Sequence, residues 1–161
     1  MSDFYLKEVD KMIRRMNISD KDSFFNMSKE FYESGAALQN IPERNIIMTF
    51  DTVISGSPYA DAYIISSDGK PAGYALLAIT YSNEAGGIVA WIEEIYILSE
   101  YRGKGLGAKL IEFIEEEYKD KAVKLRLEVE ESNKGAARLY ERLGFKYLDY
   151  IQMHKPLITE E

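Results

Sequence analysis

Apolar residues in the first part of the chain recur every three or four positions, which is the period of an α-helix. A first helix is predicted to begin at Ser19, a candidate N-cap with Asp22 three residues later, and to stop at Gly35. Pro42 suits the first turn of a second helix, which ends at Gly56. The apolar faces of these helices comprise Phe24, Phe25, Met27, Phe31 and Tyr32, and then Ile46, Ile47, Phe50, Val53 and Ile54.

Other apolar runs in the first hundred residues have the length and composition of β-strands. Residues 12–16 form a short candidate strand. Residues 63–65 and 72–81 form two more, and the Asp-Gly pair within residues 67–70 predicts a hairpin turn between them. After a second turn, residues 88–98 form a long apolar strand.

The last third of the chain alternates helices with strands. The glycine-rich segment 102–107 opens a helix. Residues 123–129 alternate apolar and charged side chains, which predicts a strand with one buried face. A helix follows over about 134–142 and stops at Gly144, and residues 146–155 form a predicted last strand. This order of elements predicts a mixed α/β domain around one sheet.

Composition limits the domain organisation and the chemistry. The length of 161 residues fits an arm over residues 1–10 followed by a single domain over residues 11–158. The absence of cysteine excludes disulfides, thiolate metal sites and a cysteine nucleophile. Since His154 is the only histidine, we expect neither a Ser-His-Asp triad nor a metal site.

Charge and hydropathy limit the partners. A formal net charge of −7 argues against binding to nucleic acid, because that binding depends on neutralising phosphates. No apolar run approaches the length of a membrane span, and residues 1–7 lack the basic-then-apolar pattern of a signal peptide. We therefore expect a cytoplasmic protein with no nucleic-acid or membrane partner.

The glycine-rich segment has the properties of an anion site. Glycines let backbone N–H groups approach an anion, and the helix N-terminus adds free N–H groups and the positive end of its dipole. Arg102 and Lys104 add positive charge. Leu106 follows Gly105 where a P-loop needs lysine, and the glycine spacing does not match the dinucleotide fingerprint. The segment predicts a pyrophosphate site, with a ligand-free tight turn as the alternative.

Two motifs in the right order give the chain a family likeness. Arg102, Gly105 and Gly107 match a signature of Arg or Gln, two residues, Gly, one residue, then Gly or Ala. Together with a second, downstream element, this segment resembles the acetyl-CoA signature of the GNAT superfamily of N-acetyltransferases. Ser99 stands where that family usually has proline. The second element is matched by Asn133, Ala136, Leu139, Tyr140, Gly144 and Phe145.

The resemblance implies a GNAT-like fold with acetyl-CoA as co-substrate. Its central sheet is mostly antiparallel, but strands 88–98 and 123–129 are parallel and splay apart near Ile97 into a V-shaped cleft. The pantetheine arm would pair there like an extra strand, and the pyrophosphate would meet the glycine-rich segment. The implied cofactor-binding residues are Ile95, Tyr96, Ile97, Arg102, Gly103, Lys104, Gly105, Leu106, Gly107, Ala108, Asn133 and Tyr140.

Acetyl transfer to an amine needs a proton acceptor for the ammonium and a proton donor for the departing thiolate. The resemblance places the family's general acid at Tyr140, and a phenol with a pKa of roughly 10 stays protonated at neutral pH. Glu93 and Glu94 are the candidate bases, because carboxylates within an apolar strand are costly unless they are paired, hydrated or used. Both glutamates could instead bind basic side chains or a cationic substrate.

Strand geometry separates the two glutamates. Regular alternation puts Glu93 on the face of Trp91 and Ile95, and it puts Glu94 on the opposite face; a β-bulge would change this assignment. Residues 91–103 resemble spermidine/spermine acetyltransferases, in which the first carboxylate of the pair is the base. The resemblance therefore favours Glu93 over Glu94.

The acceptor is predicted to be a small primary amine such as a diamine, a polyamine or a lysine-like amino acid. Aromatic and acidic side chains hold ammonium groups by cation–π and charge contacts. A protein acetyltransferase and a non-catalytic CoA-binding module remain alternatives. A homodimer is expected from the resemblance alone. The candidate substrate-binding residues are Tyr32, Glu33, Tyr81, Trp91 and Glu93.

Overall fold

A computed structural model describes residues 12–35 and 39–157 of the chain. Within these ranges a five-stranded sheet carries helices on both faces, so the predicted α/β class is confirmed. The predicted arm, residues 1–10, lies outside the described residues. The strands are β1 Ile13–Arg15, β2 Ala60–Ser67, β3 Lys70–Ser82, β4 Gly87–Ile97 and β5 Lys124–Leu127, and the helices are α1 Lys21–Glu33, α2 Glu43–Ile54, α3 Leu106–Tyr118 and α4 Lys134–Arg142.

The strands lie side by side in chain order. The first three pairings are antiparallel, whereas β4 and β5 are parallel, as the sequence predicted. Asp68 and Gly69 have φ values of 51° and 75°, which is the left-handed pair that a tight hairpin turn between β2 and β3 requires. None of the described helices is long and apolar enough to cross a membrane.

The start of α1 differs from the prediction. Asn17, and not Ser19, is the capping residue: its side chain accepts a hydrogen bond from the Ser19 backbone N–H at 2.9 Å, and Asp20 accepts one from the Asn17 N–H at 2.8 Å. This capping box forms a 3₁₀ turn over Ile18–Asp20 that leads into the helix. Arg14 also contacts Asp20 at 2.7 Å, which fixes the turn against β1.

Each face of the sheet buries its own apolar core. On one face, α3 and α4 pack against β-strand residues such as Leu77 and Ile92. On the other face, Phe24 of α1 and Phe50 of α2 pack around Tyr74. Because alternate strand residues serve opposite faces, the two cores show which way each side chain of β4 points.

The predicted strand 146–155 is wrong. The described backbone there pairs with no strand, and Ile151 and Met153 are 94% and 95% exposed. Tyr147 and Leu148 are adjacent, as are Tyr150 and Ile151, so neither face of a strand would be uniformly apolar. This segment contacts the sheet region through side-chain hydrogen bonds from Gln152 to Glu128 and from Tyr150 to Glu84.

Candidate active site

A β-bulge at Glu93 sets the geometry of the site. Leu76 lies opposite Glu94 and Leu77 lies opposite Ile92, so Glu93 has no partner on β3. Regular alternation therefore fails here, and Glu94 does not share a face with Ile92. Ile92, Ile95 and Ile97 pack with the α3–α4 core, whereas Tyr96 packs with the α1–α2 core.

The parallel pair separates next to the bulge. The β4–β5 ladder runs from Val89 opposite Lys124 to Ile92 opposite Leu127 and then ends, although β4 continues to Ile97. The strands therefore part five residues earlier than the predicted point at Ile97. Beyond Ile92, the edge of β4 that faces β5 carries backbone N–H and C=O groups that pair with no strand.

A cleft of about 2450 Å³ includes this opening. Its volume exceeds the roughly 300–1,000 Å³ of ordinary small-molecule pockets, so it has room for a large cofactor and an acceptor. Four residues of the predicted site do not line it: Lys104, Glu33, Tyr81 and Glu94. The predicted residues that do line it are Tyr32, Trp91, Glu93, Ile95, Tyr96, Ile97, Arg102, Gly103, Gly105, Leu106, Gly107, Ala108, Asn133 and Tyr140.

The residues outside the cleft have other positions. Tyr81 lies near the far end of β3, opposite Ile88, and is 72% exposed. The Lys104 ammonium lies 5.1 Å from the centre of the Tyr101 ring. Glu33 is an exposed residue at the end of α1. Glu94 lies within the protein behind the cleft wall, with 8% of its surface exposed.

The start of α3 offers free N–H groups to an anion. Gly103 and Gly105 have φ values of 75° and 76°, a conformation that side chains other than glycine rarely adopt. The Lys109 N–H donates to the Gly105 carbonyl at 3.1 Å, so the N–H groups of residues 106–108 precede the intrahelical ladder. Arg102 Nε donates to the Ile97 carbonyl at 2.8 Å, and its guanidinium lies 5.3 Å from the Tyr96 ring centre.

The carboxylates of Glu93 and Glu94 differ in their hydrogen-bond partners and in what shifts their pKa. Glu94 accepts hydrogen bonds from the Tyr32 and Tyr74 hydroxyls at 2.6 and 2.5 Å, one on each carboxylate oxygen. Burial raises the pKa of Glu94, and the two tyrosine bonds act in the opposite direction. The pKa of Glu93 is raised first by burial and then by repulsion from Glu128 and Glu94. Of the pair, only Glu93 lines the cleft.

Tyr140 and Asn133 lie on the other wall. Tyr140 is 8% exposed, and burial raises the pKa of its phenol, which therefore keeps its proton at neutral pH. Asn133 caps α4 by accepting the Ala136 N–H at 3.1 Å. Its side-chain amide nitrogen is left to donate to another group.

Arg126 is a site residue that sequence reasoning missed. Its guanidinium lies 4.3 Å from the centre of the Trp91 ring, so the protein's own cation occupies a ring proposed for a substrate ammonium. In the sequence, the only indication of this role was that Arg126 is one of the charged residues that alternate with apolar residues in strand 123–129. Its partner, Trp91, depends on the register between two strands distant in sequence.

The site of this α/β domain suits an anionic cofactor next to an acid–base group. It combines the parted strands β4 and β5, the glycine-rich N-terminus of α3 and the Glu93 carboxylate at the bulge. The chain belongs to the acetyltransferase (GNAT) family, whose family model matches residues 22–145. This match confirms the resemblance that the two sequence motifs suggested.

The sequence is similar to those of known N-acetyltransferases. A thialysine N-epsilon-acetyltransferase of Bos taurus is 40% identical over 89 residues, which cover 52% of each protein. A spermine/spermidine N(1)-acetyltransferase of Bacillus subtilis is 34% identical over 86 residues, 50% of this chain and 55% of that protein. The chain thus spans about half the length of the curated relatives it matches.

Among solved structures, an aminoglycoside N-acetyltransferase in complex with CoA superimposes with a TM-score of 0.74. The two are 18% identical, and the match covers 91% of this chain and 94% of that one. At this identity, the likeness establishes the fold alone.

Proposed function

We propose that this protein binds acetyl-CoA and transfers its acetyl group to the primary amine of a small molecule. The observation that carries the proposal is the cleft at the parted strands β4 and β5, which has Glu93 on one wall and Tyr140 on the other. Family membership and the names of the relatives support the same reaction.

The residues at the cleft mouth fit coenzyme A. The unbonded N–H groups of residues 106–108 and the left-handed Gly105 suit a pyrophosphate, with Arg102 beside them. The free edge of Ile95–Ile97 suits the amide-bearing pantetheine arm, and the Asn133 amide can bind the same arm. Bound there, acetyl-CoA supplies an acetyl group activated as a thioester.

Glu93 and Tyr140 divide the proton transfers. Glu93 accepts a proton from the acceptor ammonium, directly or through a water molecule, because its raised pKa makes it a better base than an ordinary carboxylate. The amine then attacks the thioester carbonyl, the C–S bond breaks, and the Tyr140 hydroxyl donates a proton to the departing thiolate. The proton that the new amide nitrogen loses restores the Tyr140 phenol. Glu94 is the less suitable base, since each of its oxygens already accepts a tyrosine hydrogen bond.

We also propose a homodimer in the cytoplasm. The exposed apolar side chains of Leu148, Ile151 and Met153 form a surface that a second copy would cover. The acidic surface expected from the net charge suits a freely dissolved protein that attracts amines.

Two measurements test the proposed reaction. Calorimetry should detect binding of acetyl-CoA and of CoA to the folded protein. Release of free thiol from acetyl-CoA should then rise saturably with a panel of small amines. No binding of either form of the coenzyme would exclude the function. Binding with stimulation only by peptides would favour a protein acetyltransferase, and binding without any turnover would favour a regulatory module.

A further inference from the structure

Arg126 lies on the acceptor side of the cleft. Its strand neighbours Leu125 and Leu127 pack with the α3–α4 core, so Arg126 occupies the opposite face of β5. There it is paired with Trp91, two residues before the bulge at Glu93. Arg126 is half-buried and lines the cleft, as Glu93 does.

The guanidinium of Arg126 has a ring partner but no counter-ion within the described part of the chain. The ion pairs found there join other residues, and the guanidinium of Arg126 lies 4.3 Å from the centre of the Trp91 ring. A ring contact uses none of the five N–H donors of a guanidinium. A half-buried cation with free donors in a cleft is suited to a carboxylate, which a guanidinium binds through two parallel hydrogen bonds.

The backbone positions of the two residues suit one class of amine. The Arg126 guanidinium lies against Trp91, and Trp91 and Glu93 are two residues apart on β4, which corresponds to about 7 Å along the strand. In a lysine-like amino acid, the distal amine and the carboxylate are joined by about six bonds of roughly 1.5 Å, which span a similar length. A diamine or polyamine of that length would place a second ammonium against Arg126, and the two cations would repel each other.

We propose that Arg126 binds the carboxylate of the acceptor while Glu93 receives its distal amine, so that the substrate is a lysine-like amino acid rather than a diamine. This inference rests on the proposed acetyl transfer and specifies its substrate class. Trp91 holds the guanidinium in place, and Arg126 acts as the specificity-determining residue.

The test compares L-lysine with two analogues that lack the negative charge, L-lysinamide and cadaverine. For the wild type, kcat/KM measured by thiol release should be higher for L-lysine by roughly 10- to 100-fold, the usual value of a hydrogen-bonded charge. Arg126→Gln should remove that preference by lowering kcat/KM for L-lysine alone. Lys124→Gln is the matched control, because Lys124 is an exposed cation on the same face of β5, opposite Val89.

The possible failures are distinguishable. Equal losses with all three amines in Arg126→Gln, or a wild-type preference for cadaverine, would overturn the role of Arg126 and leave the acetyltransferase intact. Turnover with polyamines but not with L-lysine would also overturn the role of Arg126 and leave the acetyltransferase function intact. Bound acetyl-CoA with no turnover on any amine would instead remove the proposed function and this inference with it. Thermal melting of each variant would identify a loss that comes from misfolding.

Discussion

At the scale of single residues, the neighbours Glu93 and Glu94 show how environment divides the roles of identical side chains. Both have a raised pKa, mainly through burial. Tyr32 and Tyr74 hold Glu94 in a fixed hydrogen-bonded position, whereas Glu93 lines the cleft. We therefore expect Glu94 to tie α1 to the sheet and Glu93 to exchange protons.

Glu93→Gln should shift activity toward higher pH. In the wild type, activity rises as pH increases through the raised pKa of Glu93, because the deprotonated carboxylate is the base. Without it, the ammonium must lose its proton to solvent, which becomes favourable only as pH approaches the pKa of the amine, roughly 10. The deficit in kcat/KM should be largest near pH 7 and narrow as pH rises. An unchanged pH profile would point to Glu94 or to water alone.

Tyr140→Phe should lower turnover by ~10²–10⁴-fold, the usual contribution of a general acid. Its ring still fills the space beside Phe145, so calorimetry should find acetyl-CoA affinity nearly unchanged. Tyr59→Phe removes a hydroxyl from a 75% exposed tyrosine and is the control. Wild-type turnover in Tyr140→Phe would exclude this tyrosine as the acid.

At the scale of elements, β3 supports the part of β4 that is proposed to face the cofactor. A Cβ at Gly73 would lie 2.3 Å from the Tyr96 carbonyl oxygen and 2.6 Å from Ile97 Cδ1. Only glycine lets the two strands approach this closely at the proposed pantetheine edge.

Gly73→Ala should therefore push β3 away from β4 at residues 96 and 97. We expect a loss of about 1–3 kcal/mol in the free energy of unfolding, measured by denaturant titration, together with weaker acetyl-CoA binding. Gly135→Ala in α4 is the control, since its Cβ would meet only Asn133 Oδ1 at 3.9 Å. That variant should be neutral or slightly stabilising. Equal stability of the two variants would contradict this account of the β3–β4 contact.

Local patterns predicted most helices and strands. The period of a helix, the alternation of a strand and an Asp-Gly turn each depend only on residues that are close in sequence. The sequence was compatible with a bulge but did not locate it, since nothing in Glu93 or Glu94 indicates which residue leaves the β3–β4 ladder. The Arg126–Trp91 contact could not be predicted, because it depends on the register of two strands whose contact is not encoded locally. The last strand failed because apolar composition alone does not supply a pairing partner.

At the scale of the whole molecule, the covering of the sheet is uneven. Helices α1 and α2 cover β2, β3 and β4 on one face, whereas the same face of β5 carries Arg126 and the cleft. Residues 146–157 leave large apolar side chains exposed beyond β5. An isolated chain would keep this surface in water.

A homodimer that buries this segment should have twice the mass of one chain in light scattering. Ile151→Glu combined with Met153→Glu should shift the protein toward the monomer, because charge is costly to bury in an apolar interface. Met48→Glu, at a 65% exposed position on α2, should leave the mass unchanged. A wild type that is monomeric at all concentrations would refute the dimer.

The bulge also determines how position 93 can be altered. Ile92 and Glu94 pair with the neighbours Leu77 and Leu76 and lie on opposite faces of β4, so a chain without residue 93 would alternate regularly through this point. Tyr96 would still face α1, and Ile95 and Ile97 would still face α3. Residue 93 is thus an insertion that the packing of β4 does not require, and its side chain supplies the chemistry. Deletion of Glu93 should therefore leave both cores in register while it removes the carboxylate from the cleft.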